Sequence, residues 1–176
     1  VRGKGTFVAP NPLVSRLHLA SFSDEMGHQK VQASSRILLG ERSTAPSEVC
    51  EFFGTETTVA HTHLRRLRLG DGEPYSIDDG WYNSTFAPSL LENDIYNSVY
   101  AILESTFEVP ITGAEQTVTA VAAEEDIAEL LDVPLNTPLL HITRLARSGD
   151  RPVEWCSSVY RTDRYRLTTH VSRARI

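Results

Sequence analysis

The chain has 176 residues, 40% of them hydrophobic and 23% charged. That length and mixture suit one globular domain with a real core and exclude a disordered chain. With 17 basic against 23 acidic residues the net charge is −6, which excludes a nucleic-acid surface spread over the whole domain, because phosphate contacts require clustered Lys and Arg. No apolar stretch approaches the ~18 residues of a membrane span, so the sequence predicts a soluble, cytoplasmic protein.

The first ten residues, VRGKGTFVAP, place Arg2 and Lys4 among glycines. In an acidic chain this reads as the end of an element that begins upstream. Residues 11–20 follow as a linker, with Pro10 and Pro12 in a polar run, and the folded domain is expected over 21–176. It opens on a short helical pattern at Ser23-Asp24-Glu25-Met26. RILLGERS predicts a strand, and APSEVCEFFG a short helix with Pro46 near its first turn and Gly54 after its end. TVAHTHLRRLRL and PYSIDDGWYN form a hairpin around Asp71-Gly72, the strongest local turn signal in the chain.

A helix is predicted over Ser98–Phe107, with Val99, Ile102, Leu103 and Thr106 on one face. VPITGAEQTVTAVAA alternates as a strand does, and EEDIAELLDV is a helix with Ile127, Leu130 and Leu131 on one side. Two final strands, PLLHITRLAR and PVEWCSSVYR, flank a turn at 148–151. Hairpins with short turns make antiparallel pairs, so the sum is an α+β domain: an antiparallel sheet with helices packed on it.

Chemistry-bearing residues concentrate in the strands. Strand alternation turns Arg66 and Arg68 to one face and Arg65 to the other. Two guanidiniums one repeat apart suit an anion between them, or else a solvated face with each Arg paired to a nearby acid. Glu154, Cys156, Ser158 and Tyr160 share a face, either a set of hydroxyl-binding groups or an ordinary polar face. Which acid joins the arginines depends on the hairpin. A two-residue loop puts Asp79 on the Arg face, whereas a three-residue loop with a bulge brings Asp78 there.

Ser98 stands at a helix start, as a cap or beside an anion. His61 and His63 share a strand face without a third metal ligand in view. Cys50 and Cys156 lack metal-ligand spacing and read as buried thiols. No Gly-rich phosphate loop, nucleophile elbow or paired-cysteine motif is present. No metal, cofactor or catalytic residue is expected.

GKGTFV resembles the wing that ends the winged helix-turn-helix domain of GntR-type transcription regulators, and LASFSDEM the start of the effector-binding (UTRA) domain of their HutC subfamily. The resemblance runs on through LRRLRLGDGEPYSID, YNSVYAILE, AEEDIAELLDVPLNTPLLHITRLA and PVEWCSSVYRTDRYRL. It is closest to regulators that respond to phosphorylated amino sugars. It implies a chorismate-lyase-like fold, an antiparallel sheet flanked by helices around a small-molecule pocket. By that resemblance Arg66 and Arg68 bind the effector's phosphate with Ser23, Ser98 and Tyr100, while Asp78, Glu154 and Tyr160 contact its sugar.

Arg2 and Lys4 would be a remnant of the DNA-contacting wing. The partners implied are a phosphorylated-sugar effector, DNA through a winged helix-turn-helix domain, and a second copy of the chain. Asp78-Asp79-Gly80-Trp81 departs from the relatives' Glu-Ser or Glu-Thr, and Thr162 stands where they have glycine. The alternatives are a chorismate-lyase-like enzyme acting on an aromatic carboxylate, and a sensor reduced to a dimerisation module.

Overall fold

A computed structural model describes residues 13–16, 22, 26, 27 and 30–169. The readings placed on Arg2, Lys4 and Ser23 lie outside the described residues. Among the described residues there are eight strands: β1 (Leu13–Arg16), β2 (Ala33–Thr44), β3 (Ala60–Gly70), β4 (Glu73–Tyr82), β5 (Gly113–Ala122), β6 (Pro138–Ser148), β7 (Arg151–Arg161) and β8 (Tyr165–Thr168). β2 to β7 form one antiparallel sheet in the order β2-β3-β4-β7-β6-β5. The antiparallel α+β architecture expected from the short turns is the one observed.

β1 departs from that expectation. It lies within the stretch assigned to a linker and pairs in parallel with β8, a strand the sequence pattern does not announce. Parallel partners this distant leave no local hairpin signature.

Among the described residues, the helices α1 (Ser47–Phe53), α2 (Val99–Phe107) and α3 (Glu125–Leu131) pack on the sheet. Each ends on a left-handed residue, Gly54, Glu108 and Asp132 respectively, which stops the i to i−4 ladder. α1 and α3 cover the back of the sheet. There Val49, Cys50 and Phe53 meet Trp81, and Ala128 and Leu131 meet Leu67, Ile77 and Leu139. α2 covers one end of the front, where Val99 and Leu103 bury against Leu64, Tyr82 and Val153. Thr106, expected on that buried face, is exposed.

Three one-residue bulges set which side chains face which way. They fall at Leu38 in β2, Tyr75 in β4 and Val153 in β7. The β3–β4 turn is the two-residue Asp71-Gly72, both at positive φ, yet the ladder skips Tyr75 directly after Pro74. Proline has no N–H to give a ladder, so a bulge beside it costs the sheet little. Arg66 therefore lies opposite Asp78 and Arg65 opposite Asp79. Both hairpin alternatives were half right, in that the loop has two residues and Asp78 takes the Arg face.

Candidate functional site

Cross-strand neighbours share a face, so the register itself assembles the front of the sheet. One row runs Arg66, Asp78, Ser158, Ile142; the next runs Arg68, Ser76, Tyr160, Leu140. A third brings Gly80, Cys156, Arg144 and Gln116 into line. α2 begins above these rows, and a cavity of about 40 Å³ lies among them, bounded also by Phe22, Ser98 and Glu154.

Arg66 and Arg68 are 6% and 2% exposed, which decides against a solvated strand face. Arg66 donates through Nη1 to the carbonyls of Ile95 and Asn97, at 3.2 and 3.3 Å, the chain leading into α2. Arg68 donates to Ser35 Oγ at 2.7 Å and stacks on the Phe22 ring, 4.7 Å from its centroid. The shared acid is Asp78, whose Oδ2 lies 4.0 Å from Arg66 Nη2 and 3.7 Å from Arg68 Nε. Burial and then the adjacent Arg66 charge draw Arg68 down to about 10, still cationic at neutral pH. Burial opposes the Arg66 charge too, but the groups around it, the Asp78 and Glu154 carboxylates among them, outweigh it and raise its pKa. Two cations thus share one carboxylate at this end of the pocket.

The opposite end is a chain of polar contacts. Tyr100 donates to Glu154 Oε2 at 2.5 Å and accepts from Arg144 Nη1 at 3.3 Å. With its amide turned oxygen-first, Gln116 accepts from Arg144 Nε and Nη2 at 2.8 and 2.9 Å. Burial, with Glu154 next, pushes the Tyr100 and Tyr82 phenols well above their ordinary values, so both stay neutral donors. Burial raises the Cys156 thiol in the same way, which fits the inert thiol read from the sequence. Gly80 keeps this end open, since a Cβ there would stand 3.2 Å from the Tyr82 ring and hydroxyl.

The structure thus brings together Arg66, Arg68, Asp78, Ser98, Tyr100, Glu154 and Tyr160 around one cavity. Ser98 caps α2, accepting from Ala101 N–H at 3.3 Å, and also lines the cavity. Tyr100, read with the phosphate set, reaches the Glu154 end instead. Arg144, Tyr82 and Ser35 escaped the sequence reading. The first was legible, because Leu140, Ile142 and Arg144 alternate with the inward phase of β6.

On the back of the sheet, Arg65 lies 3.8 Å from Asp79 and 3.5 Å from Asp126. His63 stacks on Trp81 and bonds Asp79 at 2.6 Å. His61 is fully buried between Thr55 and Ser84. The two histidines are therefore engaged separately rather than as a ligand pair.

The profile of the UTRA domain matches residues 28–166 of the chain. The HTH-type transcriptional repressor NagR of Bacillus subtilis is 26% identical over 175 residues, covering 98% of this chain and 72% of its own length. The histidine utilization repressor of Pseudomonas putida is 27% identical over 175 residues, with 98% and 70% covered. The crystal structure of PhnF from Mycobacterium smegmatis superposes with a TM-score of 0.87 at 23% identity, over 98% of this chain and 77% of that one.

Proposed function

The chain belongs to the UTRA family of effector-binding domains, in the HutC branch of the GntR-type transcription regulators, and on that premise we propose that its effector is a phosphorylated sugar. It is a regulatory ligand-binding domain and not an enzyme, which sets aside the chorismate-lyase-like reading. The observation that carries the proposal is the buried pair Arg66 and Arg68, with one carboxylate between them. Planar guanidiniums match phosphate oxygens with paired hydrogen bonds, and the capped start of α2 adds its dipole. Glu154 and Tyr160 supply acceptor and phenol for the sugar's hydroxyl or amino groups.

In this reading the domain works as a cytoplasmic homodimer, coupled to DNA through a winged helix-turn-helix domain. The edge strand β5 supports a second copy. It is ten residues long, nearly all exposed, with no Lys, Arg or Pro to blunt it, and Val118 and Val121 are 39% and 38% exposed. Effector binding then favours one arrangement of the two DNA-binding heads through its unequal affinity for the alternatives.

A thermal-shift screen of phosphorylated sugars against their unphosphorylated parents tests the effector class. Ligand at a hundred times its Kd adds about 2.7 kcal/mol of stability. If no phosphorylated sugar shifts the transition, or if each parent shifts it as far, the effector belongs to another class.

A further inference from the structure

The arginine pair already holds an anion of the protein's own. Asp78 reaches both guanidiniums with Oδ2, at 3.7 and 4.0 Å, while its Oδ1 accepts from Ser158 Oγ at 2.9 Å. Those distances to the guanidiniums are ion-pair distances, too long for hydrogen bonds. The carboxylate balances charge without a hydrogen bond to either guanidinium. Arg66 Nε has no hydrogen-bond partner among the described residues. Two buried cations share that one carboxylate, in a setting where charges interact strongly.

An incoming anion must therefore compete with Asp78 for the same two positive charges. A carboxylate ligand brings a single charge, no more than Asp78 itself carries. A phosphate monoester brings about −1.5 to −2 at neutral pH, with three acceptor oxygens. Resting on the reading of Arg66 and Arg68 as an anion clamp, we propose that Asp78 is the clamp's resident counter-ion, which an effector must displace. This exchange makes the pocket select a doubly charged phosphate monoester over a singly charged carboxylate. Ser158 gives the displaced side chain its anchor, holding Oδ1 while Oδ2 leaves the guanidiniums. Asp78 thereby moves from the sugar end of the pocket to its phosphate end.

Asp78→Asn keeps the volume and removes the charge. Inorganic phosphate titrated calorimetrically into the 176-residue chain should bind roughly ten- to a hundredfold tighter to Asp78→Asn than to wild type. Acetate, which wild type should ignore, should bind the variant measurably. Asp79→Asn makes the same charge change on the opposite face, so it should stay within about twofold of wild type. Equal phosphate affinity in wild type and Asp78→Asn, or an equal gain from Asp79→Asn, overturns the counter-ion role.

Should Asp78→Asn not fold in chloride, refolding at matched ionic strength becomes the readout. Recovery in phosphate but not in chloride supports the proposal, and failure in both overturns it. A failure of the underlying clamp reads differently, because wild type, Asp78→Asn and Arg66→Ala would then be equally indifferent to phosphate. That result would sink clamp and counter-ion together.

Discussion

Removing the Arg66 guanidinium tests the phosphate end of the pocket most directly, and the structure says what else that removal touches. A hydrogen bond to a charged group contributes about 1.5–3 kcal/mol, so Arg66→Ala should weaken a phosphosugar by roughly ten- to a hundredfold. The same side chain also ties down the Ile95 and Asn97 carbonyls, so part of its loss will appear as lower stability. Arg68→Ala gives a second reading, since the hydrogen bond it loses runs to Ser35 of β2 and not to the Ile95 and Asn97 carbonyls. Affinity by calorimetric titration and melting temperature should therefore be read on the same preparations.

Lys at either position should restore only part of the affinity, because a point charge lacks the planar fork. Arg65→Ala is the control, since its partners Asp79 and Asp126 lie on the far face. Exposed pairs of that kind are worth about 0–1 kcal/mol. If Arg65→Ala costs as much affinity as Arg66→Ala, or if phosphate adds nothing over the unphosphorylated parent, the assignment of this pocket is wrong.

Glu154→Gln should reorder the preference among sugars that share a phosphate while leaving the phosphate requirement intact; a lost requirement would place Glu154 in the clamp. His61 offers a pH test. Its Nδ1 accepts from the Ser84 N–H, so the proton sits on Nε2 facing Thr55, and burial, then Arg42, holds its pKa below 6.5. The unfolded chain binds that proton first as pH falls, so stability should decline below about pH 6.5. Urea titrations of His61→Gln should show a flatter decline over that window, and an unchanged slope would remove His61 as the cause. Val118→Lys with Val121→Lys should convert a dimer to single chains in sedimentation; a dimer that persists would move the interface off β5.

Most of the elements were legible because their signals are local. Asp71-Gly72, Gly54 after α1 and Ser98 before α2 each act within a few residues, and strand alternation alone separated Arg65 from Arg66 and Arg68. What stayed hidden is non-local. Nothing near β4 in sequence says that β7 rather than β5 lies beside it, and the parallel β1–β8 pair joins residues about 150 positions apart. Asp78 could not be chosen over Asp79 until the Tyr75 bulge fixed the register. The Tyr100–Glu154–Arg144 chain was missed for the same reason, since it spans a helix and two strands.

That bulge makes the pocket's chemistry a matter of counting. A strand presents its residues to front and back in strict turn, so one residue gained or lost between Pro74 and Asp78 would exchange the two sides wholesale. Asp79 and Trp81 would enter the cavity, and Asp78 would join Arg65 behind the sheet. A single codon inserted or deleted in this hairpin could thus rewrite which ligand a sensor of this architecture answers to. Such a change is far shorter than the series of point substitutions that would reach the same pocket one side chain at a time.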